Sequence, residues 1–308
     1  MGTIINIRVW TDDDAAAQPA LTAAFDELAR LEKLMTTWRD DSDISRINAA
    51  AGVHAVAVSK ETLEVVKRSI EFSRLSGGAF DISYYALHGL WKFDQDLEAK
   101  LPDPAEVKRR IKLIAWRDIV VDEKLSTIFL KRKGMALNLG GIGKGYAVDR
   151  ATAVLHAKGF HDAIVQAGGD LMLSGSKGGI PWQAGIRDPR SQRDDYFAVA
   201  GVTDHAFSTA GDYERFFILD GHRYHHIIDP TTGYPATAAR SVTIWAPDAT
   251  TADGLDDAVL IMGPEKGLAM IEKLPGCGAV IVDSHNKVWV SKRLEGVIKI
   301  LRPPTDGL

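Results

Sequence analysis

A turn of four glycines around one lysine, Gly140-Gly141-Ile142-Gly143-Lys144-Gly145, is the first stretch whose composition could do chemistry. Glycine lets the backbone bend sharply and come close to a ligand, and the free N–H groups at a helix start attract an anion. The stretch reads as a phosphate cradle and, with equal support, as a tight strand-to-helix connection that holds nothing. It lacks the final spacing of the dinucleotide fingerprint. The second stretch is Ala252-Asp253-Gly254-Leu255-Asp256-Asp257. On a helix, Asp253, Asp256 and Asp257 stand at i, i+3 and i+4, on one face. Like charges so placed repel, and a hard divalent cation relieves that repulsion better than the helix N-terminus alone. Carboxylate oxygens are the ligands Mg²⁺ prefers. An isolated acidic turn is more often a solvated helix start, but the apolar run from Ala258 to Met262 places this helix in the interior.

Three further groups bear on chemistry. Gly168-Gly169-Asp170 sets an acid directly after a glycine turn, and Gly78-Ala79-Phe80-Asp81 sets an acid and a phenyl ring beside flexible backbone. His225 and His226 stand at the end of an Ile227-Ile228 strand with Asp229, before the turn formers Pro230 and Gly233. A strand-end histidine beside an aspartate can act as a general base; taken alone, a structural role is the commoner one. Adjacent histidines on a strand face opposite ways, so the pair cannot chelate one metal. The single cysteine, Cys277, has no base near it in sequence, and no Gly-x-Ser-x-Gly elbow is present.

Hydrophobic spacing gives the elements that must hold these groups. A buried strand is expected over residues 135–139, then a helix from Lys144 that stops at Gly159. A helix over residues 15–35 carries Leu21, Ala24, Phe25, Leu28, Leu31 and Met35 on one face. The polar segment 37–48 follows, in which Trp38 reads as a core anchor. Ser59 caps a helix that runs to Leu75 and ends at Gly77-Gly78, and another helix spans 104–114. Strands are expected at the N-terminus and at 118–122, 126–130, 163–167, 182–186, 197–202 and 241–246, with a helix over 250–262. Segments 278–283 and 287–290 pair as a hairpin, and 297–301 adds a last strand. Helices and strands interleave throughout, which is an α/β or α+β pattern. A chain of 308 residues can form one large domain or two intimate lobes. A net charge of −4 and the lack of any basic run argue against nucleic acid. No apolar run is long enough to span a bilayer, and no leader precedes the opening strand.

Taken in order, these motifs resemble the FAD:protein FMN transferases, the ApbE family. The matching blocks are Met1-Gly-Thr, Trp38 with Asp43-Ile-Ser-Arg-Ile-Asn48, Gly78-Ala-Phe-Asp81 and the run from Leu139 to Asp149. Gly168-Gly169-Asp170, Gly211-Asp-Tyr-Glu, His226-Ile-Ile-Asp-Pro230 and the turn from Ala252 to Asp257 complete them. The resemblance implies a mixed α/β (α+β) fold of two intimate lobes with a T-fold-like core, acting as a single domain over residues 1–308. It implies that FAD is the substrate and Mg²⁺ the metal, with FMN moved to a threonine hydroxyl of a target protein and AMP released. Carried over by position, Met1, Trp38, Ala79, Phe80, Asp81, Gly140, Tyr146 and Ile228 line the FAD site. The Gly143 carbonyl with Asp253, Asp256 and Asp257 holds the metal, and His226 is the catalytic histidine. Two other outcomes of the same motifs are hydrolysis of FAD to FMN and AMP, and flavin binding without chemistry.

The family's usual partners are subunits of respiratory or reductase complexes, so a membrane-complex acceptor is expected. Many relatives are exported and membrane-anchored, whereas a chain with no leader fits the cytoplasm; both locations stay open. Three positions depart from the family pattern: Asp257 where Thr is usual, Asn138 where Asp is common, and Ala210 where Ser is common. The extra carboxylate at Asp257 strengthens Mg²⁺ binding or shifts preference toward Ca²⁺ or Mn²⁺.

Overall fold

In the computed structural model, residues 2–93, 99–191 and 195–307 are described. The first elements are β1 (Ile5–Val9), α1 (Asp14–Met35), α2 (Asp43–Ala49), β2 (Val56–Ala57), α3 (Lys60–Leu75), α4 (Pro104–Arg110), β3 (Ile119–Asp122) and β4 (Thr127–Leu130). Next come α5 (Gly143–Ala157), β5 (Ala163–Ala167), β6 (Asp170–Ser174), β7 (Trp182–Arg187), β8 (Tyr196–Val202) and β9 (His205–Gly211). The last are β10 (Phe216–Leu219), β11 (His222–His225), β12 (Ala239–Ala246), α6 (Ala249–Met262), α7 (Pro264–Ile271), β13 (Gly278–Asp283), β14 (Val288–Val290) and β15 (Ile298–Ile300). None of the described helices is long and apolar enough to cross a membrane. The chain divides into two compact units, each assembled from separated stretches. One contains Met1–Arg30, Lys144–Gly211 and Ala238–Leu308; the other contains Leu31–Gly143 and Asp212–Thr237.

The first unit is built on a seven-stranded sheet in the order β1-β5-β6-β9-β12-β13-β14. Every neighbouring pair in it is antiparallel, so the interleaved pattern resolves to a mixed α+β fold. A second antiparallel sheet, β15-β8-β7, lies in the same unit. Phe197, Ala198 and Val202 of β8 join Phe207, Trp245, Val280, Val282 and Leu294 in one buried cluster. β13 is buried along its whole length, as a strand covered on both faces must be. Helix α6 packs on β9 and β12, and Leu255, Ala258, Val259 and Leu260 have no exposed surface. A helix this apolar has no solvent face to present. Between β5 and β6 the chain turns on two residues, Gly168 and Gly169, with Gly168 at φ 64°. A left-handed residue is what a two-residue hairpin turn requires, and here it delivers Asp170 as the first residue of β6.

The second unit holds α2, α3, α4, the sheet β2-β4-β3 and the hairpin β10–β11. Ser42 and Ser59 cap α2 and α3 by accepting the N–H groups of Ser45 and Thr62. The buried Asp43 carboxylate ties these caps together: it accepts the Ser59 N–H at 2.9 Å and the Ser59 hydroxyl at 2.6 Å, and pairs with Arg46. Helix α2 begins within the segment 37–48, whose polar composition disguises it; its signal is Ile44 and Ile47, both buried, at helical spacing behind a serine cap.

Three sequence expectations are corrected. Residues 135–139 form no strand, although Met135, Leu137 and Leu139 are buried in alternation. Asn48 takes the place of a ladder neighbour there: its amide donates to the Leu137 carbonyl at 2.9 Å and accepts the Leu137 N–H at 2.7 Å. Trp38 is no core anchor; it is 73% exposed. Phe25 likewise faces solvent, and the buried stripe of α1 up to Leu31 is Ala17, Ala20, Ala24, Leu28 and Leu31.

Phe197 fills the centre of the buried cluster in the first unit. Replacing it with alanine is expected to lower stability by about 3–5 kcal/mol, because the surrounding sheets cannot collapse onto the void. A urea titration followed by circular dichroism should show a lower midpoint with an unchanged slope.

Candidate functional site

The site is organised by two helix starts in the first unit. Helix α6 begins under two carboxylates: Asp248 accepts the Thr251 N–H at 2.7 Å, and Asp149 of α5 accepts the Ala249 and Thr250 N–H groups at 2.8 Å each. The Thr250 hydroxyl adds a bond to Asp149 at 2.5 Å. These bonds satisfy amides that a helix start leaves without internal partners. Burial pushes the Asp149 carboxyl up to about 6, against the lowering effect of the Thr250 hydroxyl and the two amides. Gly145 lets α5 and α6 touch. A Cβ at that position would stand 2.1 Å from the Ala249 carbonyl oxygen and 2.7 Å from the Asp253 Cβ. With no Cβ, the Gly145 N–H instead donates to Asp253 Oδ2 at 2.8 Å.

Asp253 is where the glycine turn and the acidic helix meet. Its other oxygen pairs with Lys144 Nζ at 2.7 Å, and the same ammonium lies 3.1 Å from Asp170 Oδ2. Asp170, Asp253 and Asp256 each offer an oxygen within 4.8 Å of the others, and all three are buried. Ser208 of β9 links two of them, its Oγ lying 2.5 Å from Asp170 Oδ1 and 2.5 Å from Asp256 Oδ2. One hydroxyl proton can serve only one of these contacts, so without a cation the second contact requires a proton on a carboxyl. The electrostatics agree. Burial and then the Asp170 charge push Asp253 up to about 7. Burial, followed by Asp257 and Asp253, drives Asp256 well above the usual carboxylate range. Burial opposes the Lys144 ammonium, but Asp170 and Asp253 outweigh it and hold the proton well above the ordinary lysine value.

The arrangement fits a hard divalent cation. All donors are oxygen, the trio carries more negative charge than Lys144 balances, and the buried Asp170 Oδ2 accepts no aligned hydrogen bond, facing only the Lys144 ammonium of the ion pair among the described contacts. Of the expected ligands, Asp253 and Asp256 belong to this trio and Asp257 lies outside it. Asp257 is half-buried, its N–H donates to Asp256 Oδ1 at 2.6 Å, and burial raises its carboxyl to about 6. Asp170 was not among the expected ligands. Its signal was the pair of glycines before it, which marks a tight turn that aims the next side chain. Gly143 is the first residue of α5, and Tyr146, one turn on, is buried.

In the second unit the two histidines differ in environment. His225 is buried, with Nε2 at 2.7 Å from the Ala236 carbonyl and Nδ1 facing the Ile227 N–H at 3.4 Å. His226 follows the end of β11; it is exposed, and its N–H is held by the Arg215 carbonyl at 3.1 Å. Asp229 builds the turn that follows, accepting the Thr231 N–H and hydroxyl at 2.8 and 2.7 Å. Ile228 is buried and bridges to Pro235. Phe80 is buried edge-on against Phe72, with ring centroids 6.2 Å apart, and Ala79 is half-buried. Asp81 is a local builder: its carboxylate takes the Ser83 N–H and hydroxyl and the Trp116 N–H, and burial raises its pKa against the pull of Ser83. Gly140 and Trp38 are exposed. Asn138 accepts the Gly140 N–H at 2.7 Å, so the amide oxygen does the turn-building that a carboxylate would do at that position. Ala210 is buried in β9 opposite Val242, and nothing in the structure explains its replacement of serine. Met1 lies outside the described residues.

The profile of the ApbE family matches residues 1–281. A Treponema pallidum protein named FAD:protein FMN transferase is 35% identical, over 98% of this chain and 87% of its own. A Vibrio cholerae protein of the same name is 33% identical, over 94% of this chain and 88% of its own. Among solved structures, the ApbE protein of Thermotoga maritima superposes with a TM-score of 0.87 at 33% identity, covering 96% of both chains. The flavin transferase ApbE of Vibrio cholerae gives 0.85 at 30% identity, again over 96% of both chains.

Two measurements test this geometry. Gly145→Ala should cost about 3 kcal/mol in urea unfolding, because the new methyl group meets a backbone carbonyl that cannot move aside. For Asp149, a raised folded-state value means that its contribution to stability is fully present below the unfolded pKa and is lost as pH rises through about 6. The stability of the native chain minus that of Asp149→Asn should therefore fall between pH 4 and pH 7, by about 2–3 kcal/mol, with the Asn variant's own constant penalty cancelling from the slope.

Proposed function

Because the chain belongs to the ApbE family and is a flavin transferase, we propose that it moves the FMN half of FAD onto a threonine hydroxyl of an acceptor protein, with Mg²⁺ bound and AMP released. We take residues 1–308 to act as one flavin transferase domain. The observation that carries the reading is the buried trio of Asp170, at the start of β6, and Asp253 and Asp256 of α6. Asp253 and Asp256, with Asp170 beside them, would hold the cation; the Gly143 carbonyl and Asp257 complete the expected set. A bound divalent cation neutralises charge on the diphosphate oxygens and acts as a template for their displacement.

The chain's own residues supply the rest. In the transfer, the threonine oxygen forms a bond to the FMN-side phosphorus, and the bond from that phosphorus to the bridging oxygen breaks, leaving AMP. The threonine proton needs an acceptor, since a neutral hydroxyl is a weak nucleophile. His226 is suited to take it: the residue is exposed at the end of β11, while its neighbour His225 is buried against the carbonyl of Ala236. Gly140, Tyr146, Trp38, Ala79, Phe80 and Ile228 are proposed to line the flavin. Positioning and electrostatics then carry most of the barrier lowering, as in phosphoryl transfer generally. The acceptor is proposed to be a flavoprotein subunit of a respiratory or reductase complex.

Purified protein mixed with FAD, MgCl₂ and a threonine-bearing acceptor domain should leave a fluorescent, acid-stable acceptor band on a denaturing gel, with one AMP released per flavin attached. AMP formed at the same rate without any acceptor would replace transfer by hydrolysis, and FAD binding with no AMP would leave only a flavin carrier. His226→Ala is expected to slow transfer by about 10²–10⁴-fold while FAD affinity, read by fluorescence titration, stays within a factor of about two.

A further inference from the structure

Lys144 does not point into open space from its glycine turn. Its ammonium stands 2.7 Å from Asp253 Oδ1 and 3.1 Å from Asp170 Oδ2, inside the group of carboxylates that fits a divalent cation. Two of the three acids in the trio therefore already have a positive partner supplied by the chain. An ammonium is a compact point charge with rotatable donors on a flexible four-carbon stem, so it can leave such a site as readily as it enters it. Lys144 is 29% exposed, while the Asp170 and Asp253 side chains are each 2% exposed, so the lysine is the member of the group with a route outward. A divalent ion and an ammonium brought to the same two carboxylates repel strongly at this depth.

We propose that Lys144 is the resident counter-ion of the trio and that a divalent cation binds by exchange with it. The cation takes the oxygens of Asp253 and Asp170, and the ammonium swings out toward the glycine turn. This rests on reading the trio as the cation site. It gives Lys144 two successive partners. Before loading, it keeps three buried acids from repelling one another. After loading, it is a released positive charge at the start of α5, available to an anionic substrate. The exchange also makes metal uptake weaker than the donor set alone would allow, since each loading event breaks two ion pairs.

The test uses the full chain in two measurements. Isothermal titration of EDTA-stripped protein with MgCl₂ and MnCl₂ compares the native chain with Lys144→Met, which keeps the length of the side chain and removes its charge. Affinity is expected to rise at least tenfold in Lys144→Met. In the native chain, acylation of Lys144 by an amine-reactive ester, followed by mass spectrometry, should be slow in EDTA. It should speed up at least fivefold in saturating MgCl₂, while other surface lysines are unchanged. Equal affinities in the two proteins, or Lys144 labelling that does not rise when the metal binds, would overturn the exchange and leave the cation site standing. No uptake of either metal by either protein would overturn both. The labelling experiment needs no substitution, so it decides the matter even if Lys144→Met fails to fold.

Discussion

The central constraint on this protein is the placement of three carboxylates in its interior at distances where they cannot all be charged without compensation. Charge in a low-dielectric interior is tolerated only when it is paired or neutralised. Each feature around Asp170, Asp253 and Asp256 answers that requirement. Lys144 supplies an ammonium, Gly145 an amide and Ser208 a hydroxyl shared between two acids. The close crossing of α5 and α6, which only a glycine permits, brings the first two within reach. The hairpin on Gly168-Gly169 brings the third acid in from the sheet. The proposed function rests on the same constraint, since under-compensated acids with oxygen donors suit a hard cation.

The capping of α6 belongs to this argument as well. A helix carrying Asp253 and Asp256 on its buried face must be held at a fixed depth, or the acids miss their partners. Asp149 performs that task from α5 by binding two successive amides at the start of α6. One helix therefore sets the position of another, far away in sequence, through a side chain. The second unit shows the same economy on a smaller scale, where Asp43, Asp81 and Asp229 each organise a local turn or cap with one carboxylate.

Much of this was legible in the sequence. The helices α1, α3, α5 and α6, the hairpin β13–β14 and most strands follow from periodicity and from serine caps, because those elements draw on local rules. The residues 135–139 mislead for a physical reason. Alternating burial is the mark of a strand, but the partner there is the side chain of Asn48, from a distant segment. Trp38 misleads because burial of a tryptophan is a tendency and not a requirement. Asp253 and Asp256 could be found from their spacing on one helix. Asp170 could not be joined to them, since its proximity depends on the strand order of the sheet, which no local pattern states. The two histidines were indistinguishable until the Ala236 carbonyl was seen to occupy one of them.

The strand order has a consequence for synthesis on the ribosome. β1 is made well before its partner β5, which pairs Ile5 with Ala167, and one edge of β9 stays open until β12, which pairs Ser241 with Gly211. One side of the seven-stranded sheet, β12-β13-β14 beyond β9, is thus added only by the stretch from Ala238 onward. Pairings between such remote segments are slow to form, and unpaired strand edges are open to wrong partners in the meantime. A nascent chain therefore carries unpaired strand edges through much of its translation, and a ribosome that stalls before α6 releases a product that lacks β13, β14 and the acidic helix that packs on β9 and β12.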